Sequence, residues 1–188
     1  MNTTQRVSEP RERLLRTASE LFYREGIHSV GVDRLVAEAG VTRATFYRHF
    51  PSKEHLVEAY LESEDAALKH AFAAAAATDA TPRELIAMVI EAIADDVELR
   101  HTRGCPFINA AAEYPDPASS VRKTVAAHRA WFRGTLETVI TAAGLDRAAE
   151  RATALVLLRD AAMVGGYLDG AASIRPTFVS TARLVSGL

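Results

Sequence analysis

The side chains with the clearest chemical purpose lie between Thr42 and Lys53: Arg43, Ala44, Thr45, Tyr47, Arg48 and His49, with Lys53 just beyond. Turned at about 100° per residue around Phe46 as the buried position, Ala44 and Arg48 point away from the core. Thr45 and Tyr47 flank them, and Arg43 sits at the N-terminal edge. A face that is small, basic, hydroxylic and aromatic suits a recognition helix in a DNA major groove. Arginine can pair with guanine O6 and N7 through two hydrogen bonds, worth about 1–3 kcal/mol of discrimination, and alanine can pack on a thymine methyl. Tyrosine and histidine can donate to phosphate. Lys53 stands at a helix N-terminus, where free backbone N–H groups and the helix dipole also favour phosphate. Arg6, Arg11 and Arg13 are candidates for further backbone contacts. Asp33, acidic beside this surface, either accepts from a cytosine N4 or complements the N-terminus of its own helix.

Three short helices must position these groups. Leu14, Ala18, Leu21 and Phe22 fall on one face of a helix over about 10–24, with Gly26 expected as a left-handed terminator. A second helix over about 32–39 starts at Gly31, with Val30 and Leu35 as a hydrophobic staple. Gly40 breaks the chain, and Thr42 caps a third helix over about 43–50, with Val41 and Phe46 as a second staple. Leu35, Val36, Ala39, Val41, Phe46 and Phe50 supply a small core, so the second and third helices form a helix-turn-helix.

The run Val32-Asp33-Arg34-Leu35-Val36-Ala37-Glu38-Ala39-Gly40-Val41-Thr42, followed by Thr45-Phe46-Tyr47-Arg48-His49-Phe50-Pro51-Ser52-Lys53-Glu54-His55-Leu56, closely resembles the TetR family of repressors. The likeness covers about residues 10–60, and Tyr47 to Lys53 is its most diagnostic part. It implies that Arg43, Ala44 and Thr45 touch bases while Tyr47, His49 and Lys53 hold phosphates. Two positions depart from the pattern. Gly31 stands where a hydroxyl residue is common, and it cannot contact phosphate; Val36 replaces the usual alanine. The resemblance further implies a dimer built on the eighth and ninth helices, a small-molecule effector and double-stranded operator DNA as partners.

The remaining chain reads as helical, for about nine helices in an all-α protein, since alternating strand patterns are nearly absent. A DNA-binding domain over 1–52 precedes an effector-binding and dimerisation domain over 53–188. The fourth helix runs over about 53–77. Thr81-Pro82-Arg83-Glu84 is a capping box that opens a fifth, to about residue 100. A sixth covers about 106–113, and Tyr114-Pro115-Asp116-Pro117 starts a seventh that reaches about residue 143. Asp146 is expected to cap an eighth running to about 170, with Gly165-Gly166 as a kink or close-packing point, and the ninth is expected to begin near Pro176.

Leu155, Leu158, Ala162 and Gly165 with Phe178, Ala182 and Val185 form either a seam between subunits or packing within one; periodicity fits both. Met88, Phe107, Tyr114, His128, Trp131, Phe132, Met163 and Tyr167 have the apolar, aromatic character of a ligand pocket, and equally of plain core. Cys105 lies next to a helix N-terminus, where the dipole favours a thiolate, so it is either a redox or electrophile switch or a small buried apolar residue.

Composition narrows the class. The 188 residues carry a net charge of −2 and are 48% hydrophobic, as in an ordinary globular domain. Residues 1–60 hold nine Lys/Arg against eight Asp/Glu, so any DNA contact relies on a local basic surface rather than overall charge. No secretory signal and no apolar stretch of about 20 residues is visible, so a cytoplasmic protein is expected. A single cysteine excludes intrachain disulfides and cysteine metal clusters. No nucleophile elbow, phosphate loop, dinucleotide fingerprint or zinc-protease motif appears, so no catalytic residue, metal or cofactor is expected. A helical adaptor with a vestigial helix-turn-helix is the alternative to a DNA-binding regulator.

Overall fold

A computed structural model describes residues 8–188. Among these the chain forms nine α-helices and no strand: α1 (Glu9–Glu25), α2 (Val32–Glu38), α3 (Arg43–His49), α4 (Lys53–Ala76), α5 (Pro82–Leu99), α6 (Pro106–Glu113), α7 (Ser120–Ala142), α8 (Ala148–Gly165) and α9 (Ala171–Ser186). Arg6, a candidate DNA contact, lies outside the described residues.

Local chemistry accounts for most helix starts. Thr42 Oγ1 accepts from the Thr45 N–H, Ser52 caps α4, and Ser119 caps α7. At α5 both halves of the capping box are present, with Thr81 and Glu84 each accepting from the other's backbone N–H. Leu14, Ala18, Leu21 and Phe22 of α1 are buried against Leu35, Phe46, Leu56 and Tyr60, so α1 to α3 close on the first turns of α4. The long α4 then leaves this head and packs along α7 in the body.

Three expectations are corrected. Gly26 has φ 92 and ψ 151, an extended glycine conformation rather than the left-handed helical one. A side chain there would press on the Glu113 carboxylate, which sits 3.4 Å from the position of a Cβ. The N-cap of α8 is Arg147, itself left-handed at φ 53, because the Asp146 carboxylate accepts from Arg151 Nη2 at 2.7 Å instead of capping. Helix α8 ends at Gly165 and a π-helical turn over Gly166–Gly170 joins it to α9, which begins at Ala171, not at Pro176. Pro176 lies inside α9; the carbonyl its missing N–H would have met belongs to exposed Ala172, where water can take its place.

Of the two readings left open for α8 and α9, packing within one subunit accounts for the expected seam residues. Leu155, Ala162, Phe178 and Ala182 are buried inside the single subunit, and Leu158, Gly165 and Val185 pack partly buried beside them. The apolar residues that these helices and the π turn between them direct outward are different ones: Leu157 (62% exposed), Val164, Leu168 (69%) and Leu184 (76%).

Candidate DNA-binding face and ligand cavity

Helix α3 buries only Phe46; Arg43, Ala44, Tyr47 and Arg48 are exposed, with Thr45 and His49 partly so. Tyr47 stands edge-on to Phe46 with ring centroids 5.1 Å apart, which fixes its direction outward. Arg43 Nη1 donates to Asp33 Oδ1 at 2.6 Å. Asp33 therefore holds the arginine, a role that neither sequence alternative for it included. Tyr47 first, and then the Asp33 carboxylate, raise the guanidinium above its usual pKa.

The supporting cations divide into two groups. Arg11 lies over the Phe50 ring, 5.1 Å from its centroid, and stays beside the α3 face. Arg13 and Lys53 are tied into the head itself. Arg13 Nε donates to the Ala39 carbonyl at 3.2 Å and its Nη1 to Glu9 at 3.0 Å. Lys53 Nζ donates to the Ile27 carbonyl at 2.5 Å above the Phe22 ring, and burial lowers its pKa. Neither cation points freely into solvent, so each has to be released to reach a phosphate. His49 Nε2 lies 3.4 Å from Ser8 Oγ. Thr42 spends its hydroxyl on the helix cap and on Thr45 Oγ1, 3.0 Å away.

The body contains a cavity of about 420 Å³ between α4, α5, α6, α7 and α8. Helix α4 contributes Glu64, Leu68, Ala71, Phe72 and Ala75, spaced along one helical face. Helix α5 contributes Met88, Val89, Ala92, Ile93, Asp95, Asp96 and Leu99. Arg100 and His101 follow from its C-terminal end, Pro106 and Phe107 from α6, Phe132 from α7 and Arg159 from α8. Of the eight residues expected to line a pocket, Met88, Phe107 and Phe132 do so. The other five lie elsewhere. His128 stacks on Phe107 at 3.6 Å, its Nδ1 2.8 Å from Asp65 Oδ1; burial lowers its pKa despite that carboxylate. Its Nε2 is buried and has no partner among the described residues. Trp131 packs edge-on to Phe72 under Lys69, Met163 is fully buried core, and Tyr167 is an exposed ring beside Arg103. Tyr114 packs against His28, 5.0 Å between rings, at the junction with the head.

The charged lining was missed from sequence. The Asp96 carboxylate meets His101 Nδ1 at 2.8 Å, and Glu64 approaches His101 Nε2 at 3.5 Å. Burial works against the imidazolium, but the two carboxylates outweigh it and push the His101 pKa up to about 9. The α4 wall had a legible signal. Glu64, Leu68, Ala71, Phe72 and Ala75 recur at helical spacing, and the run of alanines leaves the cavity its room.

Helix α6 joins cavity and head. Its N-terminal Pro106 and Phe107 line the cavity, and its last residue, Glu113, accepts from the backbone N–H groups of Ile27 (2.8 Å) and His28 (2.6 Å). A second tie runs through Tyr23: its hydroxyl donates to the Gly104 carbonyl at 3.1 Å and accepts from the Arg103 N–H at 2.7 Å. Cys105, between these points, is buried, with Sγ 3.6 Å from Arg159 Nη1.

A helix-turn-helix head with an outward basic face, fastened to a helical body around a cavity, is the architecture of a DNA-binding transcriptional regulator. Residues 14–60 match the profile of the bacterial regulatory proteins of the tetR family, and residues 81–154 match the tetracyclin repressor-like C-terminal domain. A TetR-family transcriptional regulator from Streptomyces coelicolor superimposes with a TM-score of 0.90 at 42% identity, over 95% of this chain and 94% of that one. The chain belongs to the TetR family. The reduced form of Escherichia coli NemR shares the fold at a TM-score of 0.84 and 19% identity, over 94% of this chain and 96% of its own. The transcriptional activator FasR of Mycolicibacterium smegmatis is 34% identical over 90 residues, 48% of this chain and 41% of FasR. The chain thus spans less than half the length of that curated relative. No helix among the described residues is long and apolar enough to cross a membrane.

Proposed function

We propose that the protein is a repressor that binds a palindromic operator as a homodimer and lets go when a small molecule enters the cavity. The observation that carries this reading is shared structure. Helix α4 begins in the head at Lys53 and lines the cavity from Glu64 to Ala75, while α6 runs from Phe107 in the cavity to Glu113 against the α1–α2 loop. A ligand that fits only one arrangement of α4 and α6 favours that placement of the head, and release follows from its differential affinity for the two states. Residues 1–52 are the DNA-binding unit on this reading, and 53–188 the sensing and dimerising one.

Arg43, Ala44 and Thr45 read bases and Tyr47, Arg48 and His49 hold backbone. Lys53 joins them once it leaves Ile27, and Thr42 acts as the cap that orients α3. Dimerisation falls on the outward faces of α8, α9 and the π turn between them, through Leu157, Val164, Leu168 and Leu184. A two-fold subunit arrangement suits half-sites about one helical turn, or roughly 34–36 Å, apart. FasR, by its name an activator, is the reason to measure the sign of regulation.

Selection of bound DNA from a random pool by the purified protein, at two salt concentrations, tests the reading. A palindrome bound more weakly at high salt is expected. An unenriched pool from folded, dimeric protein would favour an adaptor. A dimer that survives Leu157→Glu combined with Leu184→Glu would move the interface elsewhere.

A second reading has one observation in its favour. Cys105, the single cysteine, places Sγ 3.6 Å from Arg159 Nη1, so a group added to that sulfur would press on the cavity-lining guanidinium. Sγ would add across the double bond of N-ethylmaleimide, with the thiol proton ending on the adjacent carbon. Unchanged operator affinity after full alkylation of Cys105 rejects this switch.

A further inference from the structure

The cavity holds one cation without an adequate counter-charge. Arg159 is 6% exposed, yet its guanidinium donates only to Cys105 Sγ, a weak acceptor, among the described residues. The nearest carboxylate oxygen, Asp160 Oδ1, is 3.7 Å away, and both oxygens of that carboxylate already receive the Arg129 fork at 3.0 and 2.7 Å. The Phe132 ring, 5.3 Å from Cζ, gives a cation–π contact that offsets part of the cost of burial. A buried ion left in this state is expensive, by several kcal/mol in real proteins.

The acids of the lining are in the opposite condition. Asp95 pairs with Arg175 at 2.7 Å, Asp96 with His101 at 2.8 Å, and Glu64 with His101 at 3.5 Å and Arg100 at 4.0 Å. A cationic ligand would have to displace one of these partners. An anionic one would meet a guanidinium with unused N–H donors.

We propose that the molecule taken up by the cavity is an amphiphile with an acidic head group of the carboxylate class on an apolar body, and that Arg159 receives the head group. This rests on the reading of the cavity as the effector site and deepens it. The head group forms a charge-assisted, fork-like pair with Arg159. The body lies among Leu68, Phe72, Met88, Phe107 and Phe132. A volume of about 420 Å³ falls within the range of small-molecule sites.

Two matched series test the assignment by calorimetry on the full-length protein: naphthylacetate, naphthylacetamide and naphthylethylamine, and decanoate, decanamide and decylamine. In at least one series the carboxylate is expected to bind about tenfold or more tighter than its amide, with the amine weakest. Arg159→Gln should bring the carboxylate to within about threefold of the amide, while Arg159→Lys, which keeps the charge, should retain part of the preference. Ala92→Trp, which fills the cavity from α5, should abolish binding of all forms alike. Amide and carboxylate of equal affinity in the wild type, with binding lost in Ala92→Trp, overturn the anion assignment and leave the cavity as an effector site. A carboxylate preference that survives Arg159→Gln overturns the role of Arg159. No binding by either series overturns both readings. The wild-type comparison decides the matter even if Arg159→Gln fails to fold.

Discussion

Glu113 offers the sharpest test of how head and body are joined. Its carboxylate accepts two backbone N–H bonds, from Ile27 at 2.8 Å and His28 at 2.6 Å, and lies 3.7 Å from His28 Nδ1. Hydrogen bonds to a charged acceptor contribute about 1.5–3 kcal/mol each. The His28 bond is exposed, which discounts it, so Glu113→Ala should cost about 2–4 kcal/mol of local docking. Hydrogen exchange reads this directly: the amides of Ile27 and His28 should exchange roughly 30- to 700-fold faster, at about 1.4 kcal/mol per factor of ten. The amide of Ile140, deep in α7, should keep its protection if the loss is local. On the proposed function the same variant should still bind operator but respond more weakly to a cavity ligand, because the α6 tie is gone. Unchanged exchange at Ile27 and His28 would refute the clamp. Faster exchange with a full ligand response would show that α4 alone carries the coupling.

Three further outcomes follow from the geometry. Arg43→Ala should lose about 1–3 kcal/mol of operator discrimination in a mismatch-binding assay, whereas Asp33→Ala should bind non-specific DNA more tightly and with a steeper salt dependence. His101, whose pKa is raised from 6.5 to about 9, contributes stability that is fully present below pH 6.5 and is lost as pH rises through 9. The loss is about 3 kcal/mol by linkage, and His101→Gln should flatten that part of the urea-midpoint profile. Gly166→Ala should lower the melting temperature through about 1–3 kcal/mol of overpacking, because a Cβ there overlaps the buried Val97 Cγ1 methyl; an unchanged melting temperature would mean that α5 and the π turn separate easily.

The head was legible in the sequence because its determinants are local. Caps at Thr42 and Ser52, the break at Gly40 and the position of Phe46 are set by neighbours within a few residues. The body was less so, because its decisive contacts are long-range. Arg159 meets Cys105 across 54 positions and His128 meets Asp65 across 63, and no helical period reports either pairing. On α8, Leu155 and Leu157 are two residues, and thus about 200°, apart. Both faces carry leucine, so only burial separates the inward one from the outward one. Pro176 misled for a related reason: proline is a good first-turn residue, and nothing nearby signals that the exposed α9 backbone can tolerate it five residues further in.

On the proposed base-reading role of Arg43, its ion pair with Asp33 would have a kinetic consequence. A protein searching a chromosome must leave wrong sequences quickly, and a free arginine at the reading position would cling to any phosphate it passed. With Arg43 engaged at 2.6 Å, the molecule moves along DNA with that side chain closed and a carboxylate facing the polyanion. An exposed pair of this kind is worth no more than about 1 kcal/mol, so a base that offers two acceptors opens it easily, whereas most others do not. Asp33 thus turns one side chain into a gate between travel and arrest, shortening the time spent at the wrong addresses without much weakening the hold on the right one.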